Sequence, residues 1–128
     1  MSTYHRRDAV RYFRKKMEFT AGPAELDHMI KDHEDIVIVD VRRPEDYVKS
    51  HIPRAINLPR EQWPTLAGLE LEKRNVVYCY TQQCHLATDA CLTFAQKGFR
   101  VVELEGGFRA WEESNLAVEG EPALSRAA

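Results

Sequence analysis

The sequence predicts an α/β domain on a mainly parallel sheet, with helices covering both faces. Three observations carry that expectation. Ile36-Val37-Ile38-Val39-Asp40-Val41 is an almost unbroken β-branched run, the pattern of a strand buried on both faces. A second apolar run, Val76-Val77-Tyr78, ends in a cysteine and passes through a short polar stretch into a helical pattern. Finally, strands and amphipathic helices alternate along the chain, which favours right-handed βαβ crossovers and a parallel sheet.

The elements follow in order. Residues 8–18 place Val10, Phe13 and Met17 on one helical face, with Arg11, Arg14 and Lys15 opposite, so this helix is expected to pack against the domain. Gly22-Pro23 opens a second helix, whose inward stripe is Leu26, Met29 and Ile30. The run 36–41 is the first strand. Pro44 to Ser50 reads as a short helix, and a brief strand over 55–58 is limited by Pro53 and Pro59. Residues 60–72 read as a loosely helical connection, and 75–80 as the next strand. The segment 84–97 is amphipathic, with Ala87, Ala90, Cys91, Phe94 and Ala95 inward and Gly98 as the stop. A strand over 101–104, a Gly106-Gly107 turn and a helix over 108–113 complete the domain. The tail from Glu119 is expected to fray. The predicted organisation is thus a helical extension over 1–18, one domain over 19–118 and a flexible tail over 119–128.

Composition narrows the function. With 128 residues, 44% hydrophobic and 30% charged, the chain supports one core and has an ordinary soluble balance. A formal charge of −2 argues against generic nucleic-acid binding. The charge is uneven: six bases against Asp8 and Glu18 give residues 1–20 a net +4 and the remainder −6. That pattern fits a solvated helix face or a docking surface for an acidic partner. No apolar stretch reaches the length of a membrane span, and the charged N-terminus lacks a signal-peptide core. Three cysteines do not make a disulfide scaffold, which points to the reducing cytoplasm and free thiols. Cys and His spacing shows no zinc pattern, so no metal is expected.

Cys79 is the candidate nucleophile. It stands at the carboxyl end of a predicted buried strand, where open α/β sheets place their ligands. The turn after it, Tyr80, Thr81, Gln82, Gln83, Cys84 and His85, can aim backbone N–H groups and a helix start at the sulfur. Such a nest stabilises an anion and is expected to lower the thiol's pKa. Asp40 and Arg42 end a central strand on the same edge if the sheet is parallel. Arg42 is either a cation for the site or, the favoured reading, part of a structural ion pair or loop tether. His51 could act as a general base, although a histidine locked by hydrogen bonds is favoured. Cys84 has three open roles: resolving partner, better nucleophile, or small cap without chemistry. His85 either tunes that thiol or is a surface residue. Cys91, on the apolar helix face, reads as core.

Three ordered motifs carry a family resemblance. The stretch from Asp40-Val41-Arg42-Arg43-Pro44 through Ser50-His51-Ile52-Pro53 to Asn57-Leu58-Pro59 resembles the N-terminal signature of the rhodanese family. Val76-Val77-Tyr78-Cys79 is similar to its active-site strand and cysteine. Leu104-Glu105-Gly106-Gly107-Phe108-Arg109-Ala110-Trp111 resembles its closing motif. The resemblance covers roughly residues 20–116 and implies a rhodanese-like fold with a five-stranded sheet. It also implies a sulfurtransferase that passes sulfane sulfur through a Cys79 persulfide, without a cofactor, from a small donor to a thiol, a protein cysteine or cyanide. The family often has an arginine five residues after the catalytic cysteine; here that position is Cys84, which puts thiosulfate in doubt as the natural donor. The alternative class is a non-catalytic or redox-sensing interaction module using Cys79 and Cys84. A phosphatase or arsenate reductase is disfavoured, because no arginine occurs between Cys79 and Arg100 to hold a tetrahedral oxyanion.

Overall fold

The computed structural model describes residues 3–121. In chain order the elements are α1 (Arg6–Phe19), β1 (Thr20–Ala21), α2 (Pro23–Lys31), β2 (Ile36–Asp40), α3 (Pro44–Lys49), β3 (Ile56–Asn57), a 3-10 segment (Arg60–Thr65), β4 (Arg74–Tyr78), α4 (Leu86–Gln96), β5 (Arg100–Leu104) and α5 (Gly107–Glu113). The five strands form one sheet in the order β1-β5-β4-β2-β3, with every neighbouring pair parallel. The predicted α/β class and five-stranded sheet are therefore observed. β1 escaped the sequence reading because two residues, Thr20 and Ala21, carry no readable period.

Strand alternation divides the core between the two faces. Ile36, Ile38, Val76, Tyr78, Val102 and Leu104 face Leu26 and Met29 of α2 and Phe108 and Trp111 of α5. Val37, Val39, Val77 and Cys79 face the other way, against Ala87, Ala90 and Phe94 of α4 and Trp63. Both faces of β2 and β4 are dry, which is why those strands read as continuous apolar runs. Register pairs Asp40 with Tyr78, so β2 and β4 end level and deliver their following loops to one edge.

Three local expectations need correction. Val10, Phe13 and Met17 are not packed inward: they are 43%, 57% and 74% exposed, and α1 has no buried residue. The helix leads into edge strand β1 and meets the body at β1 and β5, so its apolar face finds no layer to cover. Ala95 is exposed rather than inward, because α4 turns past the sheet in its last turn. Cys91 is half-buried at the margin of the core. The first residues expected to fray are tied down: His51 and Glu119 exchange backbone hydrogen bonds of 2.7 and 2.9 Å, and the Glu121 N–H donates to the Val48 carbonyl. The rest of that tail, 122–128, lies outside the described residues. Among the described residues no helix is long and apolar enough to cross a membrane.

Candidate active site

The site grows from the end of β4. Cys79 follows the last strand residue and is 2% exposed, pointing to the α4 side of the sheet. The loop over 80–85 then curls back, closed by the Cys84 N–H donating to the Thr81 carbonyl at 3.1 Å. A peptide loop can aim its amides at an anion only if its carbonyls are satisfied elsewhere. Here α5 satisfies two of them. The otherwise unpaired N–H groups of its first turn, on Phe108 and Arg109, donate to the carbonyls of Cys79 and Tyr80 at 2.8 and 3.0 Å. Gln82 adds a third tie by accepting the Gly106 N–H through its side-chain oxygen at 2.5 Å. Gly107, with φ +62, allows this docking.

The amides that reach sulfur come partly from outside the expected loop. Those of Tyr80 and Ala87 favour the charged form of Cys79, and those of Tyr80 and Leu86 the charged form of Cys84. Leu86 and Ala87 were missed because they read as the apolar first turn of α4; their contribution is the unpaired N–H of a helix start, which the side chains do not advertise. The Cys79 thiol donates to the Cys84 carbonyl at 3.4 Å and faces the Thr81 carbonyl at 3.9 Å. Burial pushes the Cys79 thiol up to about 11, with the Cys84 thiol adding to the rise and the amides opposing it. The expected lowering at Cys79 is thus reversed, because burial outweighs the nest. Cys84 moves the other way. Burial raises it, but the contact with Cys79 and the amides of Leu86 and Tyr80 together hold it below the usual thiol value.

Asp40 and Arg42 lie beneath the loop and are almost fully buried. Arg42 Nε and Nη2 bond both carboxylate oxygens of Asp40 at 2.8–3.1 Å, and Nη2 also donates to the Ser50 carbonyl at 2.6 Å. The Tyr78 hydroxyl donates to Asp40 at 2.6 Å and accepts the Ile52 N–H at 3.1 Å. Arg42 also stacks over the Phe108 ring, 4.1 Å from its centroid. Its charge is committed to Asp40, so the geometry agrees with the structural tether. His51 is likewise fixed: Nδ1 lies 2.7 Å from the Tyr47 carbonyl, and its ring stacks on Tyr47 with centroids 3.9 Å apart. Both rings are held on α3 and the segment after it.

The remaining loop residues divide by contact. The Tyr80 hydroxyl donates to Asp46 at 2.5 Å and accepts the Arg43 N–H, anchoring the loop to α3. Gln83 and His85 are exposed, and His85 precedes α4 with its carbonyl accepting the Asp89 N–H. A cleft of about 370 Å³ opens beside the loop, lined by Arg42, Tyr80, Thr81, Phe108 and Arg109 among others. Arg109 is a cation that the sequence reading did not place here. Its side chain is 70% exposed and lies 3.8 Å from Glu113.

Comparison with known proteins agrees with this geometry. The Rhodanese-like domain model matches residues 22–114. A protein named Sulfurtransferase from Allochromatium vinosum is 32% identical over 94 residues, covering 73% of this chain and 87% of that relative. An HTH-type transcriptional regulator of Mycobacterium tuberculosis is 38% identical over 90 residues, covering 69% of this chain; there the matching region spans only 40% of the relative's length. A crystal structure of a Bacillus halodurans protein superposes with a TM-score of 0.84 at 40% identity, covering 91% of this chain and 87% of that one. The parallel sheet, the three motifs and the matched span agree, and the chain belongs to the rhodanese-like domain family.

Proposed function

We propose that this protein is a sulfurtransferase that carries sulfane sulfur as a persulfide on Cys79 and delivers it to a thiol, a protein cysteine or cyanide. The observation that carries the reading is the buried Cys79 sulfur at the end of β4, in a loop that α5 ties back through the carbonyls of Cys79 and Tyr80, with the amides of Tyr80 and Ala87 favouring its thiolate. Relatives named as sulfurtransferases support it at the level of the family.

The chemistry needs only the chain's own groups. The Cys79 thiol gives up its proton to solvent as the donor enters. The Cys79 sulfur then attacks the donor's sulfane sulfur, and the donor's leaving group departs with the bonding pair. The terminal sulfur is held as an anion by the same amides and the start of α4. An acceptor thiolate or cyanide attacks that terminal sulfur and regenerates Cys79.

Thiocyanate formation from a low-molecular-weight persulfide and cyanide tests the reading. Cys79→Ser keeps the shape and removes the thiolate, so transfer is abolished while the fold persists. Transfer that survives in Cys79→Ser and vanishes in Cys84→Ser assigns the nucleophile to Cys84 instead. A redox-sensing module, the second reading favoured by the placement of Cys84 against the Cys79 sulfur, gives no thiocyanate with any donor but forms a Cys79–Cys84 disulfide on oxidation.

A further inference from the structure

Cys84 is placed for more than capping. Its carbonyl accepts from the Cys79 thiol at 3.4 Å, which places residue 84 directly against that sulfur. The turn that brings it back is fixed by its own N–H on Thr81. The two cysteines also differ in access: Cys79 is buried, whereas Cys84 is half-exposed at the loop surface. A persulfide on Cys79 therefore has residue 84 against its inner sulfur before any acceptor arrives.

Resting on the Cys79-persulfide reading, we propose that Cys84 resolves the persulfide by attacking its inner sulfur, closing a Cys79–Cys84 disulfide and releasing hydrosulfide. The substrate class becomes sulfane sulfur to be reduced, and the partner class becomes an external dithiol that reopens the disulfide. The step balances as Cys79–S–S⁻ plus Cys84–SH giving Cys79–S–S–Cys84 plus HS⁻. The bond between the Cys79 sulfur and the terminal sulfur breaks. The terminal sulfur leaves with the electron pair and the proton of Cys84, and is reduced to sulfide as the two protein sulfurs are oxidised. An external dithiol then attacks the accessible sulfur of Cys84, expels the Cys79 thiolate and becomes a disulfide itself.

Proximity favours this route over direct delivery. A thiol held in contact acts at an effective concentration far above that of a free small thiol. The side of attack decides the outcome. Attack on the terminal sulfur only moves the persulfide to Cys84, whereas attack on the inner sulfur expels sulfide. The present contact of residue 84, through its carbonyl at 3.4 Å, is with the Cys79 sulfur itself, the atom that becomes the inner sulfur. The Cys84 thiol is held below its usual value, which increases its thiolate fraction.

The experiment is an anaerobic single turnover of wild type and Cys84→Ser with glutathione persulfide, followed by intact mass and sulfide measurement. Wild type is expected to release one sulfide per chain and end lighter by two hydrogens, with a peptide map linking Cys79 to Cys84. Cys84→Ser is expected to retain one added sulfur on Cys79 and to lose the sulfide release. Cys84→Ala, which offers no hydroxyl to the amides, should behave alike. Wild type that keeps the added sulfur as stably as Cys84→Ser, with no sulfide and no linked peptide, overturns the resolving role and leaves the persulfide reading intact. Sulfide release from Cys84→Ser equal to wild type also overturns it. Folded Cys84 variants and wild type that all fail to take sulfur on Cys79 overturn the underlying reading as well.

Discussion

Gly107 and Cys79 are in backbone contact across the site: a Cβ on Gly107 would stand 2.8 Å from the Cys79 carbonyl oxygen and 2.9 Å from the Thr81 nitrogen. That approach lets α5 take the Cys79 and Tyr80 carbonyls and fix the loop behind the sulfur. The neighbouring atoms are backbone, so they cannot swing aside as a side-chain tip would.

Gly107→Ala therefore forces both a positive φ on an L-residue and a displaced active loop. The expected cost is about 1–3 kcal/mol in stability. Sulfur transfer should fall further than stability predicts, because the displaced loop no longer aims its amides. Denaturant unfolding together with cyanide-dependent transfer checks this. Wild-type activity in a stable Gly107→Ala protein would show that the loop tolerates the shift.

Asp40 and Arg42 act as one buried unit under the loop. Removing either leaves a buried charge uncompensated, so Asp40→Ala and Arg42→Ala are each expected to cost about 3–5 kcal/mol. The double variant should cost less than the sum of the singles, which a double-mutant cycle in urea measures. Additive losses would mean that the pair is not coupled.

Cys91 gives a pH signature. Burial pushes its thiol up to about 12, with Glu103 contributing, from an ordinary value of 9.0. A raised thiol pKa means that the unfolded chain ionises first. The stabilisation is complete below about pH 9 and is lost as pH rises toward about 12. Cys91→Ala opens a small gap costing about 1 kcal/mol at neutral pH and leaves sulfur transfer nearly unchanged. Its stability deficit relative to wild type should shrink as pH climbs through that window. Thermal melts of both proteins across the range test the sign, and a deficit that grows with pH contradicts it.

Thiosulfate is expected to be a poorer donor than an uncharged or extended persulfide. The two nearby guanidinium groups do little for a dianion: Arg42 is spent on Asp40, and Arg109 is exposed beside Glu113. A charge-assisted hydrogen bond contributes about 1.5–3 kcal/mol, so its absence lowers kcat/KM for thiosulfate by roughly tenfold to a hundredfold. Cys84→Arg should recover part of that loss. Steady-state kinetics with both donors decide the matter, and wild-type kcat/KM values that match between them would refute the charge argument.

Much of this protein was legible before any fold was seen, for a physical reason. Ile36–Val41 and Val76–Tyr78 are buried on both faces, and that demand for apolar, β-branched residues is written residue by residue. The inward stripes of α2 and most of α4 follow from helical period, and the position of Cys79 follows from the strand end. Gly106-Gly107 was readable as a turn because glycine takes positive φ without strain. Tertiary structure alone decided the rest. Amides of Leu86 and Ala87 reach the sulfurs, and α5 takes up the loop carbonyls, through main-chain groups that every residue carries. The pKa order of Cys79 and Cys84 depends on how deeply each is buried and on their mutual contact, not on spacing. Whether Val10, Phe13 and Met17 are covered depends on what lies beyond the sheet edge, because an amphipathic period records a face that could be buried but not the layer that would bury it.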